Sequence, residues 1–258
     1  MRIDVYGHCG ELAARRYDPA HVQHYLDTCA IDRLLLANLE AASEPDGAAD
    51  VDEATANLAC LECCRADRRL MPMYWVRLGK TDNNLHALAG ALEIEPFVAV
   101  FFAPALNGFP ADAPELDACV SVAGKLRRPV FFLTGRDEVA RPSRVYELAR
   151  RHRGVSFVLC GAGGDTRWHE AVEVVARARE QEDARLALCT AGAGAEDIIA
   201  AAEKVGGDHL LFGSDATRDG DRHAEHVGEL LEALRQGLPA DVFANLVGEN
   251  ARRRLQVP

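Results

Sequence analysis

Along the chain, hydrophobic and polar positions repeat one theme, a short apolar run followed by a longer amphipathic segment. The runs Ile3–Tyr6, Arg33–Asn38, Leu70–Val76, Phe97–Phe102, Pro129–Thr134, Val155–Cys160, Arg185–Thr190 and His209–Phe212 are nearly continuous in apolar residues. That is the pattern of strands buried on both faces of a parallel sheet. The segments between them have helical spacing. The first opens at Asp18-Pro19, where the carboxylate can cap and proline suits the first turn. Further helices are predicted over Asp52–Arg65, Asp82–Leu92, Glu115–Leu126, Ser143–His152, Thr166–Glu180, Glu196–Val205 and Arg222–Leu234, with two short ones, Ala240–Leu246 and Asn250–Leu255, closing the chain. Repeated strand-then-helix units fit a doubly wound sheet or a barrel, and a count of eight favours the barrel. The prediction is a single-domain α/β protein, a (β/α)8 TIM barrel over residues 1–258.

Chemistry in such a barrel gathers where strands end and the next loops begin. This rule nominates Tyr6, His8 and Cys9 after the first strand, Asn38 and Glu40 after the second, and Tyr74, Trp75 and Arg77 after the third. It adds Phe102 and Asn107, then Thr134, Arg136, Asp137 and Glu138, then Cys160 and Asp165, then Cys189 and Thr190, and finally Asp215 and Arg218. An acid such as Asp215 after an apolar strand is a poor core residue, so it heads the list with His8 and Tyr6 as the catalytic candidates. Tyr74, Trp75, Phe102, Leu133, Thr134, Arg136, Cys160 and Arg218 are predicted to bind substrate, with Trp168 as a further aromatic at the mouth. Arg77, Arg136, Arg141 or Arg218 would clamp a carboxylate. Among the remaining histidines, His169 is the one near the predicted mouth.

Several landmarks resemble the amidohydrolase superfamily, in the branch of aminocarboxymuconate-semialdehyde-decarboxylase-like enzymes. Ile3-Asp4-Val5-Tyr6-Gly7-His8 is similar to that branch's opening Asp-x-His-x-His, and Phe212-Gly213-Ser214-Asp215 matches its strand-eight motif. Gly248-Glu249-Asn250-Ala251-Arg252-Arg253 resembles its C-terminal Gly-x-Asn-Ala-x-Arg signature. Pro129–Gly135 and Leu159–Gly164 fall where its strand-five and strand-six histidines usually sit. The resemblance implies one divalent metal, often zinc, held by two strand-one histidines, the strand-five histidine and the strand-eight aspartate, with the strand-six histidine as acid or base. Here those positions carry Tyr6, Leu133 and Gly161, and only His8 and Asp215 remain. Catalytic zinc normally has three protein ligands. No metal cofactor is therefore expected. The alternative is zinc on His8 and Asp215, with Tyr6 as phenolate or Cys9 or Cys160 as thiolate completing the set.

Without a metal, a His8–Asp215 pair can still transfer protons near neutral pH while Tyr6 donates to a developing oxyanion. The predicted function is metal-independent condensation, cyclisation, dehydration or decarboxylation of a small hydrophobic or conjugated carbonyl or carboxylate metabolite. A metal-dependent hydrolase or decarboxylase with atypical ligands, and a non-catalytic binding protein, are the alternatives. A formal net charge of -11 argues against nucleic acid or an acidic membrane surface as partner. The N-terminus lacks the charged start and apolar core of a signal peptide, and no apolar run approaches the roughly 18 residues of a membrane span. The chain contains 8 cysteines, expected to be reduced thiols of a cytoplasmic protein, with Cys60, Cys63 and Cys64 structural in one helix. A homodimer is the default assembly of the class.

Overall fold

Eight parallel strands follow one another around a ring in chain order: β1 (Ile3–Cys9), β2 (Arg33–Asn38), β3 (Leu70–Trp75), β4 (Ala99–Phe102), β5 (Val130–Leu133), β6 (Ser156–Cys160), β7 (Arg185–Cys189) and β8 (Leu210–Leu211). The ring closes where Val5 N donates to Phe212 O at 2.9 Å. The computed structural model describes residues 1–12, 15–38, 40, 51–78, 85–164, 167–216 and 222–255. Each strand is followed by its helix: α1 (Pro19–Thr28), α2 (Glu53–Arg65), α3 (Leu85–Ile94), α4 (Leu116–Lys125), α5 (Pro142–Arg151), α6 (Trp168–Gln181), α7 (Ala195–Val205) and α8 (His223–Gly237). Two short helices, α9 (Ala240–Ala244) and α10 (Asn250–Leu255), flank a π-helical turn over Asn245–Glu249. This is the predicted (β/α)8 barrel. No helix among the described residues is long and apolar enough to cross a membrane.

The local chemistry explains the boundaries. Asp18 accepts from Ala20 N at 2.8 Å ahead of Pro19, and Asp52 accepts from Thr55 N at 2.7 Å, so both helices begin at a side-chain cap. Asn57 on α2 holds both backbone groups of Trp75, accepting from its N and donating to its O at 2.8 Å, which docks the helix on the end of β3. At the C-terminus, Asn250 donates to Gly207 O and Leu210 O at 2.7 and 2.8 Å, tying α10 to the start of β8.

The strand alternation splits the apolar residues into two cores. Inside the ring, Ile3, Leu35, Met73, Phe101, Phe131, Val158, Ala187 and Leu211 fill the lumen, and Ala251 and Leu255 of α10 pack against that cluster. Large rings alternate with alanines, which lets the side chains interdigitate. Outside, Leu34, Val100, Phe132, Phe157, Leu188 and Phe212 pack against the helices.

Candidate functional site

The mouth of the barrel takes shape from an irregularity in β1. Its register with β2 runs Asp4↔Leu34 and then Gly7↔Leu36, so one extra residue lies in β1 between them. A bulge of this kind resets which face each following side chain meets. Val5 and Tyr6 both pack in the lumen cluster, whereas Cys9 joins the outer one. Strict alternation would have sent Tyr6 and His8 outward with Asp4. The bulge delivers them inward.

There His8 Nε2 lies 3.1 Å from Asp215 Oδ1, each side chain 16% exposed. The Tyr6 ring meets His8 edge-on at 4.6 Å between centroids and stacks on Phe101 at 6.2 Å. Asp215 adopts φ 60, a left-handed conformation that aspartate tolerates better than most residues. Its N and that of Ala216 both donate to Tyr6 O, at 3.0 and 3.3 Å, which pins the strand-eight loop across β1. Gly213 permits that approach, because a Cβ there would run into Cys189 Sγ and lie 3.1 Å from Tyr6 Cβ. Thr190 clamps the same residue, its Oγ1 donating to Gly213 O at 3.2 Å and accepting from Gly213 N at 3.1 Å.

Beneath this pair lies a polar network that position-by-position reading of the sequence missed. Asp4 is fully buried and accepts from Tyr25 Oη (2.6 Å), Ser214 Oγ (2.5 Å), Ser214 N (3.1 Å) and Tyr6 N (3.0 Å). Burial outweighs these bonds and pushes its carboxyl up to about 6, although Ser214, Tyr25 and Tyr6 each pull it down. His223 Nε2 lies 2.9 Å from Ser214 Oγ. Ser214 thus anchors one side of Asp215 to β1, α1 and α8. The presence of Asp4 in the opening motif was the available signal, since a buried acid at a strand start needs partners.

The two positions that the resemblance assigns to histidines of strands five and six fit each other. Gly161 has φ 78, and a Cβ there would lie 2.7 Å from Leu133 Cδ1 and 3.1 Å from Thr134 O. Leu133 occupies space that any side chain at residue 161 would need, so the two residues form one packed unit.

Other predicted substrate-binding residues divide. Trp75 and Cys160 are fully buried in the lumen, and Leu133 packs beside them. Burial and the neighbouring Cys189 push the Cys160 thiol well up, which favours the neutral thiol on the lumen floor. Thr134 spends its hydroxyl on Cys160 O at 2.8 Å. Tyr74 and Phe102 do not reach the mouth: alternation past Trp75 and Phe101 turns them into the helical layer, where Tyr74 Oη donates to Glu53 at 2.9 Å and Phe102 stacks on Phe132 at 5.0 Å. Cys9, at the end of β1, and Trp168, at the start of α6, also pack in that outer layer. Arg77 is held against the start of α2, with its N donating to Glu53 Oε2 at 2.7 Å. Arg136 and His169 are exposed, and Arg141 pairs with Glu170 at 3.1 Å. Arg218 and Asp165 lie outside the described residues.

The model of the amidohydrolase family matches residues 3–256. No curated protein matches the chain by sequence. Solved structures of similar fold include a 2,6-dihydroxybenzoate decarboxylase complexed with 2,6-dihydroxybenzoate (14% identity, TM-score 0.77, covering 99% of this chain and 98% of that one). The 5-carboxyvanillate decarboxylase LigW from Sphingomonas paucimobilis is similar over 100% of this chain and 99% of its own (12% identity, TM-score 0.72). A dihydroxybenzoic acid decarboxylase from Polaromonas sp. JS666, with bound manganese and the inhibitor 2-nitroresorcinol, covers 99% of this chain and 97% of its own (11% identity, TM-score 0.71).

The manganese-bound structure corrects the expectation of no metal cofactor: a decarboxylase with this barrel holds a metal, so absence cannot be assumed here. The physical reason lies in His8 and Asp215, 207 positions apart, which the ring brings together as an imidazole–carboxylate donor set of the type that takes zinc or manganese. Among the described residues no cluster of three or more histidine, cysteine, aspartate or glutamate side chains is placed to hold a metal, so the donor set is these two. From its matched model, its eight-stranded ring and the motifs that build its mouth, the chain belongs to the amidohydrolase family.

Proposed function

We propose that the chain is a decarboxylating lyase acting on a small conjugated carboxylate, an aromatic acid of the hydroxybenzoate class. The observation that carries this reading is the His8–Asp215 contact set over a lumen lined by Tyr6, Phe101 and Trp75. The apolar, aromatic floor suits a ring, and the decarboxylases of similar fold support the reaction class. His8 Nδ1 and Trp75 Nε1 are buried with no hydrogen-bond partner among the described residues, and unmet polar atoms at a mouth are the features that a polar ligand satisfies.

In this reading His8 gives a proton from Nδ1, the ring nitrogen not engaged by Asp215, to the ring carbon that bears the carboxylate. The carbon–carboxylate bond then breaks, its electron pair restores the ring, and carbon dioxide leaves. Asp215 Oδ1 holds the imidazole in place and stabilises its protonated form, while the Asp4–Ser214 network holds Asp215. With a divalent metal bound, His8 and Asp215 would be its ligands in place of the proton-transfer pair, and the metal would supply Lewis-acid polarisation of the substrate's oxygens. The apolar floor excludes water from the reacting carbon.

The test is to incubate protein prepared with manganese, with zinc or with chelator against 2,6-dihydroxybenzoate and related hydroxybenzoates, following carbon dioxide release. Turnover with one metal and not with chelator assigns His8 and Asp215 to that metal. Turnover in chelator assigns them to proton transfer. No turnover of any member under any condition sinks the proposal.

A further inference from the structure

At the base of the barrel, the end opposite His8 and Asp215, a cavity of about 490 Å³ opens between α10 and the segments leading into β5, β6 and β7. Arg127 and Arg128 precede β5, Arg185 begins β7, and Arg253 and Arg254 lie on α10. All five line the cavity, and no acidic residue does.

Many arginines elsewhere pair with acids, among them Arg69 with Asp67 at 2.7 Å, Arg144 with Asp112 at 2.8 Å, Arg150 with Asp183 at 2.9 Å and Arg167 with Glu138 at 2.6 Å, whereas others such as Arg68, Arg153 and Arg177 have no such partner among the described residues. Among the described residues none of the five has a carboxylate partner within 4.0 Å. Arg254 donates instead to Ser156 Oγ at 3.0 Å and Asp208 O at 3.3 Å, and Arg253 donates to Asn250 Oδ1 at 2.6 Å. Arg128 reaches Leu92 O at 3.5 Å, and its buried Nε has no partner among the described residues. Neutral oxygens satisfy donors without cancelling charge. The chain has 40 acidic residues against 29 lysines and arginines, so acids to neutralise this wall are not scarce.

Collecting like charges at one place opposes folding. Burial lowers the pKa of the Arg254 guanidinium; nearby Asp208 opposes this, while Arg253 and Arg185 lower it further. The base of such a barrel ordinarily serves stability, and a wall of like charges is an uncommon way to supply it.

We infer that the cavity is a second ligand site, built for a compact multivalent oxyanion, a phosphorylated or polycarboxylated small molecule. Guanidinium forks match phosphate and carboxylate oxygens in paired hydrogen bonds, and the volume lies in the range of small-molecule sites. The wall has no aromatic side chain, so the ligand is gripped by charge and not by ring stacking. Bound at this end, it would not compete with a substrate at the mouth.

The experiment is calorimetric titration of the full chain with pyrophosphate and, separately, with citrate at low ionic strength. One saturable site is expected, and the double variant Arg127→Gln/Arg185→Gln, which alters two exposed side chains and leaves Arg254 in place, weakens it by at least about tenfold. Binding of pyrophosphate alone identifies a phosphorylated ligand, and binding of citrate alone a polycarboxylate; either supports the site. No saturable binding of either below roughly 10 mM, or equal binding by the double variant, overturns it. A thermal melt separates binding from screening: a rise in melting temperature that potassium chloride of equal ionic strength reproduces also overturns it.

Discussion

The two ends of the barrel handle charge in opposite ways. At the mouth, acid and base face each other, His8 against Asp215, over a floor of aromatic and thiol side chains. At the base, five arginines share a cavity wall that has no acid. The same strands connect both ends, yet their side chains are separated by the packed lumen of Phe101, Phe131 and Val158, so each end is free to carry its own chemistry. Leu133 and Gly161, at the two positions that the resemblance assigns to histidines, form a mutually packed pair.

The largest expected effect is at the mouth. His8→Ala and Asp215→Asn each lower turnover by about 10²-fold or more, with circular dichroism unchanged, because the proton donor or its orienting partner is gone. Full activity in either variant would remove the mouth from the comparison as a chemical site.

Asp4 gives the next effect, in stability. Its carboxyl is up at about 6 in the folded protein, against 3.8 in an ordinary setting, so the folded state holds that proton more tightly than the unfolded chain. The linked contribution is fully present below the lower value and is lost as pH rises through about 6, a fall of ~3 kcal/mol for a fully buried group. Asp4→Asn should abolish this component. Denaturant melts of both proteins across that window check it, and parallel curves would show that Asp4 is not linked to folding.

The interlock of Leu133 and Gly161 predicts a smaller change. Gly161→Ala should destabilise by about 1–2 kcal/mol, through left-handed strain and contact with Leu133. Leu133→Ala in the same chain should recover only the contact part, so the two substitutions are non-additive. Simple additivity in melts would mean that the positions are independent.

The smallest effect is at the base. With no ligand added, Arg127→Gln/Arg185→Gln should raise the melting temperature by about 1 °C at low salt and by less at high salt, since it relieves repulsion between exposed charges. A fall at low salt would mean that these arginines stabilise the empty protein.

Legibility in the sequence followed the range of the interaction involved. The order of strands and helices was readable because burial on both faces leaves a continuous apolar run, and caps such as Asp18 and Asp52 act within three residues. His8 and Asp215 were readable because the end of a barrel strand is a defined place. Tyr74 and Phe102 were misplaced by one position of alternation: each neighbours a true lumen residue, and a strand end read by eye does not state its phase. The five arginines come from three separate stretches of sequence, and nothing local marks them as neighbours.

The sequence by itself determined the ring of eight strands, the family and the presence of one imidazole and one carboxylate after the first and last strands, because those depend on periodicity and on residue identity. Tertiary structure decided the rest. The inward turn of Tyr6 and His8 came from a register slip against β2, the seat of Asp215 from hydrogen bonds to Tyr6, and the cationic cavity from α10 meeting three distant strand starts. Each of these depends on distances between residues far apart in the chain, which become defined only when the ring closes.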